Sequence, residues 1–71
     1  NPFRDEATIE FGYTVDRATI SIVDIYGKLI EQHEITNQNT FVITNKDKAS
    51  GVYFLKIETG AAQFNTKVII K

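Results

Sequence analysis

The chain has 71 residues, a formal net charge of -1 at pH 7, and no cysteine, methionine or tryptophan. This length fits one small domain, and the near-neutral charge does not supply the strongly basic surface that binding to a nucleic-acid backbone requires, so we expect no nucleic-acid partner. Without cysteine, the chain has no disulfide scaffold, zinc finger or thiol chemistry. The longest apolar run, Val52–Leu55, has four residues, far fewer than the roughly 20 that span a membrane as a helix.

The two ends of the chain differ in character. The first residue is not methionine and no secretory signal segment precedes it, so we expect residues 1–71 to be one domain cut from a longer protein. A strand-like pattern continues to Lys71 without a trailing linker, which favours a natural C-terminus.

The first half of the chain alternates apolar and polar residues with the period of a β-strand. One strand is predicted at 8–15 and a second at 18–25. The alternation slips at Val23, which indicates a bulge or a strand covered on both faces. Gly27 is suited to a positive φ, so a tight hairpin is predicted there, with a return strand over Lys28–Ile35.

The second half continues this pattern. A polar turn at 36–39 and a short strand at 41–43 precede loop-forming residues at 45–51. The stretch Val52–Thr59 is the strongest strand, and a turn at Gly60-Ala61 leads to a last strand over Gln63–Lys71. No window has a helical period. The sequence therefore predicts an all-β domain, a small antiparallel sandwich of six to seven short strands.

The chain holds few groups for catalysis. His33 is the one histidine of the chain, and its partners in a catalytic triad would be Ser21 or Ser50 with an aspartate. Ser21 lies within a predicted strand without the glycines of a nucleophile elbow, and Ser50 lies in an ordinary loop. We interpret His33 as a solvated histidine, and we predict that the domain is not an enzyme.

The sequence also offers weak support for calcium binding and for phosphate binding. Asp5, Glu6 and Asp47 could contribute to a calcium site, but they lack the spacing of a calcium loop and are better interpreted as solvated carboxylates. The four glycines are scattered, so they mark turns and do not form a phosphate-binding loop. We therefore predict no metal and no cofactor.

Aromatic residues raise one further alternative. A sugar-stacking platform could in principle be built from Tyr13, Tyr26, Tyr53, Phe11 and Phe54. In a chain without tryptophan, most of these rings are better interpreted as core and sheet-face packing. The alternation predicts inward positions for the side chains of Phe11, Tyr13, Tyr53 and Phe64.

Three stretches in chain order carry a more specific signal. The chain opens with Asn1-Pro2-Phe3, and the stretch 18–30 contains Asp24-Ile25-Tyr26-Gly27-Lys28. The stretch 51–57 begins Gly51-Val52-Tyr53-Phe54 and leads to the lysine-ended segment 66–71. This ordered set, which covers essentially the whole chain, resembles the type A C-terminal sorting domain of the type IX secretion system of Bacteroidetes.

The resemblance implies a seven-stranded Ig-like sandwich at the end of a larger cargo protein. Such a cargo reaches the periplasm by an N-terminal signal peptide, and the domain then addresses it to the outer-membrane translocon and its shuttle proteins. A sortase-like peptidase commonly removes the domain at the surface, where the cargo is anchored or released. The domain is then a substrate of that peptidase and has no activity of its own.

The resemblance also implies a set of recognition residues. Asp24, Gly27 and Lys28 match the turn motif of the family, Gly51 and Tyr53 match its G-x-Y strand opening, and Lys67 and Lys71 match its basic closing strand. With the apolar residues of that strand, the expected recognition set is Asp24, Gly27, Lys28, Gly51, Tyr53, Lys67, Val68, Ile69, Ile70 and Lys71.

Three stretches depart from the pattern of the family. Lys48-Ala49-Ser50 precedes Gly51 where many members have a leucine and often a proline. Val23 stands where an aromatic residue is frequent, and Tyr13-Thr14-Val15 replaces a common Leu-Pro type of stretch.

A physical hypothesis for recognition concerns the last strand. An edge strand offers unpaired backbone N–H and C=O groups to a partner sheet. In Lys67–Lys71, Val68 and Ile70 could fill pockets of that partner, while Lys67 and Lys71 discourage indiscriminate pairing. The same open edge also allows self-association.

Two other functions fit the same architecture, because fold does not fix function. One is a glycan-binding or adhesive module of a secreted hydrolase, which a cluster of exposed aromatic residues on one face would favour. The other is a structural spacer, which would continue into a further domain.

Overall fold

The computed structural model describes residues 2–3 and 5–71, and it confirms the all-β prediction. Asn1 of the predicted opening motif lies outside the described residues. The strands are β1 Pro2–Phe3, β2 Glu6–Asp24, β3 Leu29–Thr44, β4 Gly51–Thr59 and β5 Gln63–Ile70. The described residues include no helix that is long and apolar enough to cross a membrane.

The strands form one sheet in the order β1-β5-β4-β2-β3. Neighbours are antiparallel except at one edge, where β1 runs parallel to β5 and pairs Pro2 with Ile69 and Phe3 with Ile70. The hairpin of β2 and β3 is joined by the turn that was predicted around Gly27.

The hairpin of β2 and β3 is strongly bent. The 19 residues of β2 would span about 60 Å if straight, but the longest dimension of the molecule is 31 Å. Residues 11–14 of β2 face only residue 39 of β3, because Glu10 pairs with Thr40 and Val15 pairs with Gln38. This excess of residues on one strand bends the ladder, as large bulges do.

The bend brings the far arm of the hairpin, residues 6–10 and 40–44, back over the sheet. Ile43 of this arm is buried in the main core, and Ile9 and Phe41 pack against it. The remaining core side chains come from the inner face of the sheet. The buried hydrophobic residues are Val15, Ala18, Ile20, Ile22, Ile35, Ile43, Tyr53, Leu55, Ile57, Val68 and Ile70.

The predicted sandwich of six to seven short strands is not confirmed, since the described residues form five strands in one sheet. The stretches 8–15 and 18–25 belong to the single strand β2, and 28–35 and 41–43 belong to β3. The polar residues 36–39 do not make a turn, because the bent partner strand keeps this segment in the ladder despite a positive φ of 50° at Asn37.

The predicted slip near Val23 is confirmed as a shift in pairing. Ile22 pairs with Glu31 and Val23 pairs with Leu29, so that Ile30 is the extra residue, on β3. Ile30 packs against the core and Leu29 is exposed. Between this bulge and the turn, the side chains of β3 therefore point to the opposite faces from those that unbroken alternation would give.

Two of the four predicted inward aromatic positions are wrong. Tyr53 is buried and Phe11 is partly buried, but the exposed fractions of Tyr13 and Phe64 are 55% and 49%. Tyr13 lies in the unpaired bulge of β2, where alternation does not fix the side chain. Phe64 is opposite the core residue Ile57, but it lies on β5 beside an open groove.

Candidate functional site

The turn between β2 and β3 is held by the carboxylate of Asp24. The backbone N–H groups of Tyr26 and Lys28 both donate to its Oδ1, each at 2.9 Å. The N–H of Gly27 donates to the Asp24 carbonyl at 3.0 Å, and Gly27 has a φ of +83°, which side chains rarely allow. Asp24 and Gly27 thus act within the domain, as turn-forming residues.

The turn displays two apolar side chains to solvent. Tyr26 is 87% exposed, and the neighbouring Ile25 is also more than half exposed. The side chain of Lys28 is exposed as well, because only its backbone takes part in the turn.

The loop between β3 and β4 is fixed to the sheet by Tyr53. The Tyr53 hydroxyl donates to the carbonyl of Ala49 at 2.6 Å, and Gly51 begins β4 with a φ of +152°. This hydrogen bond to a backbone carbonyl holds the loop against the sheet. Gly51 and Tyr53 therefore also build the domain.

Lys48 connects this loop to β3. Its ammonium group lies 2.9 Å from Oε1 of Glu31, and its side chain is only 1% exposed. It also donates to the Lys46 carbonyl at 3.4 Å. A lysine is rarely buried unless it is paired, so this ion pair is part of the packing of the loop.

The carboxyl group of Glu31 responds to three influences. Its partial burial raises the pKa, but the hydrogen bond and the charge of Lys48, with a contribution from His33, lower it more. The net effect is a pKa below the ordinary value of 4.5. Glu31 is therefore charged in the folded domain at neutral pH.

His33 lies beside Glu31 and Phe41. Its Nε2 lies 3.5 Å from Oε1 of Glu31, and its ring lies against Phe41 with the centroids 5.4 Å apart. His33 pairs with the core residue Ile20, whereas Ser21 points to the other face of the sheet and accepts a hydrogen bond from Gln32 at 3.1 Å. The structure thus does not bring His33 and Ser21 together.

The carboxylates that were considered for calcium lie at the start of β2 and in the loop after β3. Asp5 contributes its backbone carbonyl to Asn45 at 3.0 Å, and Asp47 lies in the following loop with a positive φ of 59°. Among the residues that the structure describes, no group of three or more His, Asp or Glu side chains is placed to hold a metal ion.

The expected recognition residues converge at one end of the sheet. Strand register places Asp24 opposite Tyr53 and Tyr53 opposite Val68, while Gly51 lies opposite Ile70. We call this region the motif end, and it comprises residues 24–28, 51–53 and 67–71. Segments that are far apart in the sequence meet there because β2, β4 and β5 are neighbours in the sheet.

Only part of the motif end is available to a partner. Val68 and Ile70 are buried in the core, so the hypothesis that they fill pockets of a partner is wrong. The backbone edge at Ile69 and Ile70 is paired with β1, and the part of this edge that has no strand partner among the described residues is 63–68. The side chains of Lys28, Lys67 and Lys71 are exposed, and Ile69 is partly exposed.

Sequence reasoning missed two features of this region. The ion pair of Lys48 with Glu31 joins residues that no motif connects. The exposed apolar side chain of Leu29 was also missed, although the slip at Val23 could have indicated that Leu29 turns outward.

A groove lies on the inner face of the sheet, outside the motif end. It has a volume of about 420 Å³ and is lined by Ile9, Phe11, Tyr13, Ile57 and Phe64 among others. The aromatic side chains of Phe11, Tyr13 and Phe64, which come from two strands, line it together.

Comparison with known proteins gives a single positive finding. No curated protein and no solved structure match this chain. The family model described as secretion system C-terminal sorting domain matches residues 1–71, the whole chain. Together with the motif end that the fold assembles, this match shows that the chain belongs to the family of secretion system C-terminal sorting domains.

Proposed function

We propose that residues 1–71 are the C-terminal signal that directs a longer cargo protein through the type IX translocon across the outer membrane. The observation that supports this most directly is the motif end, where three separate family motifs meet at one end of the sheet. The match of the whole chain to a family of sorting domains supports the same assignment.

In this proposal the signal is recognised as a folded shape. Asp24, Gly27, Gly51 and Tyr53 fix the backbone of the turn and of the loop, as their hydrogen bonds and φ angles indicate. The exposed lysines of the motif end are then presented on a rigid frame. Rigid presentation lowers the entropy cost of binding, so translocon and shuttle proteins can select this patch without unfolding the domain.

The proposal includes the path of the cargo. The cargo lies N-terminal to this domain, passes through the periplasm, and ends at the cell surface or in the medium. A sortase-like peptidase removes the domain at the surface. In this proposal the domain is the substrate of that peptidase and performs no catalysis itself.

An Ig-like sandwich is part of the same proposal. The folded-over arm of the hairpin, which buries Ile43 against the inner face of the sheet, supports it, whereas the count of strands does not. An experimental structure of the domain attached to its cargo would test it.

A reporter experiment tests the function. Residues 1–71 are fused to the C-terminus of a periplasmic reporter in a Bacteroidetes host with a working type IX system. We expect reporter at the surface or in the medium, and we expect it to stay in the periplasm of a host without the translocon. Folded reporter that remains in the periplasm of both hosts would contradict the proposal.

The groove supports a second candidate, a glycan-binding module. Tyr13 and Phe64 are about half exposed and line the same groove, and aromatic rings stack on sugars. Affinity electrophoresis of the fusion in gels that contain xylan or β-glucan tests this. Retardation that is lost in Tyr13→Ala would favour this candidate, and unchanged migration would remove it.

Self-association through the β5 edge also remains a proposal. The open stretch 63–68 supports it, and light scattering on the purified fusion measures it directly. A monomer at high concentration would contradict it.

A further inference from the structure

The outer face of the sheet is apolar at the motif end. Strand register aligns Leu29, Val23, Phe54 and Lys67 in one row across four strands. Directly opposite residues share a face of the sheet, and the buried neighbours of Phe54, Tyr53 and Leu55, point to the core. This row therefore faces away from the core.

A second row extends this apolar surface. Val52 pairs with Ile69, and both lie on the outer face because each alternates with buried residues. We call the set Val23, Leu29, Val52, Phe54 and Ile69 the apolar stripe. Leu29 is about half exposed and Phe54 is 39% exposed.

The rest of the outer face is polar. The next rows contain Ser21, Lys56 and Asn65, and then Thr19, Glu58 and Gln63. The solvent face of an antiparallel sheet normally looks like these rows. The apolar stripe is therefore a local departure, and contiguous exposed apolar surface commonly marks an interaction site.

The charges around the apolar stripe are positive. Lys67 lies about 5 Å from Phe54 across the strands, and Lys56 lies about 7 Å from it along β4. The acidic residue of this face on β4, Glu58, lies about 13 Å away, beyond the screening distance of about 8 Å at physiological ionic strength. Asp24 does not offset this charge at the outer face, because it pairs with the buried Tyr53 and binds the turn.

From this arrangement we infer that the apolar stripe is the docking surface for a protein that presents an apolar patch with an acidic rim. This inference rests on the proposed sorting function, which requires a protein of the secretion machinery to bind the domain. A second copy fits poorly, because stacking two such faces would bring Lys67 and Lys56 of both copies together. A membrane would engage the protruding turn at Tyr26, whereas the apolar stripe lies flat across four strands.

The small size of the apolar stripe sets the strength of the complex. Five side chains are far fewer than the roughly 20 to 30 residues that each partner of a stable interface contributes. The complex is therefore weak and short-lived, which suits a signal that must be released after transport.

Export of the reporter fusion tests the inference with matched variants. Phe54→Ser and Leu29→Ser remove outward apolar side chains, and Asn65→Ser changes an outward polar side chain of the same face. We expect each apolar substitution to lower surface reporter about tenfold, as truncation of an interface anchor commonly does. The Asn65→Ser variant should export normally, and thermal unfolding of the purified fusions should show that all three variants stay folded.

Crosslinking gives a readout that does not depend on stability. A photoreactive phenylalanine analogue at position 54 should crosslink to a translocon or shuttle protein in exporting cells, and the same analogue at position 65 should not. Normal export of both apolar variants, or no such crosslink at position 54, would overturn the inference. In either case, export of the wild-type fusion would leave the proposed function standing.

Two control measurements test whether a membrane or a second copy of the domain binds the apolar stripe instead. Sedimentation with vesicles of phosphatidylethanolamine and phosphatidylglycerol would overturn the inference if the fusion bound them and Phe54→Ser abolished that binding. Light scattering would overturn it if the wild-type fusion were a dimer and Phe54→Ser a monomer. A monomer that ignores the vesicles agrees with docking to a protein.

Discussion

Replacement of Asp24 by alanine tests the idea that the aspartate of the turn motif acts through structure. The carboxylate accepts two backbone hydrogen bonds, from Tyr26 and Lys28, both at 2.9 Å. Alanine leaves both N–H groups without this acceptor. Because the turn is exposed, water replaces part of what is lost.

The magnitude follows from similar capping interactions. A side chain that accepts backbone N–H bonds at an exposed terminus contributes about 0.5–2 kcal/mol. Two bonds to one carboxylate place Asp24→Ala in the upper half of that range, at about 1–2 kcal/mol. For a domain of 60–100 residues, each kcal/mol lowers Tm by about 4–8 °C, so we expect a decrease of roughly 5–15 °C.

Thermal unfolding followed by circular dichroism measures this decrease. The Asp24→Asn variant keeps an oxygen in the place of Oδ1 and should retain most of the stability. Asp16→Ala is a matched control, because Asp16 is exposed on β2 and forms no turn. A Tm of Asp24→Ala equal to that of the wild type, or an equal loss in Asp24→Asn, would refute the role of the turn acceptor.

Three further predictions concern the packing of the sheet and the loop. Because the folded pKa of Glu31 is lowered, its charge stabilises the domain above its ordinary pKa, and this contribution is lost as the pH falls through the folded value. Lys48→Met should flatten this acid-side loss in a series of Tm measurements from pH 7 to pH 3, and an unchanged profile would contradict the ion pair. Leu55→Ala should lower the free energy of unfolding by about 2–5 kcal/mol, since Leu55 is fully buried. A cooperative transition at the wild-type Tm would show that Leu55 does not contribute to the core in this way. Tyr53→Phe should cost about 1 kcal/mol and speed hydrogen exchange in the loop at 45–50, because the 2.6 Å bond to Ala49 is lost; unchanged exchange there would show that the hydroxyl does not hold the loop.

Much of the local structure could be predicted from the sequence. The hairpin at Gly27, the loop before Gly51, the strand at 52–59 and the turn at Gly60 all follow from alternation and turn residues, which are local properties. The slip at Val23 also predicted an irregular pairing. The family that was expected from the sequence was also confirmed, because its motifs are short local stretches that follow one another in a set order.

The sequence did not predict the features that depend on contacts between distant segments. Alternation placed Tyr13 and Phe64 inside, but burial requires a covering element, and the bend of β2 leaves both beside an open groove. The sequence predicted shorter strands in place of β2 and β3, because polar residues such as Asp16 and Asn37 are typical of turns. Their neighbours Val15 and Arg17 pair with Gln38 and Thr36, so the ladder continues past both polar residues.

The candidate site shows the same division. The motif residues and their chemistry could be predicted from the sequence, since turn formation depends on near neighbours such as Asp24 and Gly27. Which of these residues a partner can reach depends on the folded sheet, because exposure depends on what packs on each strand. Strand order and register buried Val68 and Ile70, paired the edge at Ile69 with β1, and aligned Leu29 with Phe54 on the outer face. Such contacts join residues with no sequence signal in common, so only the folded sheet shows them.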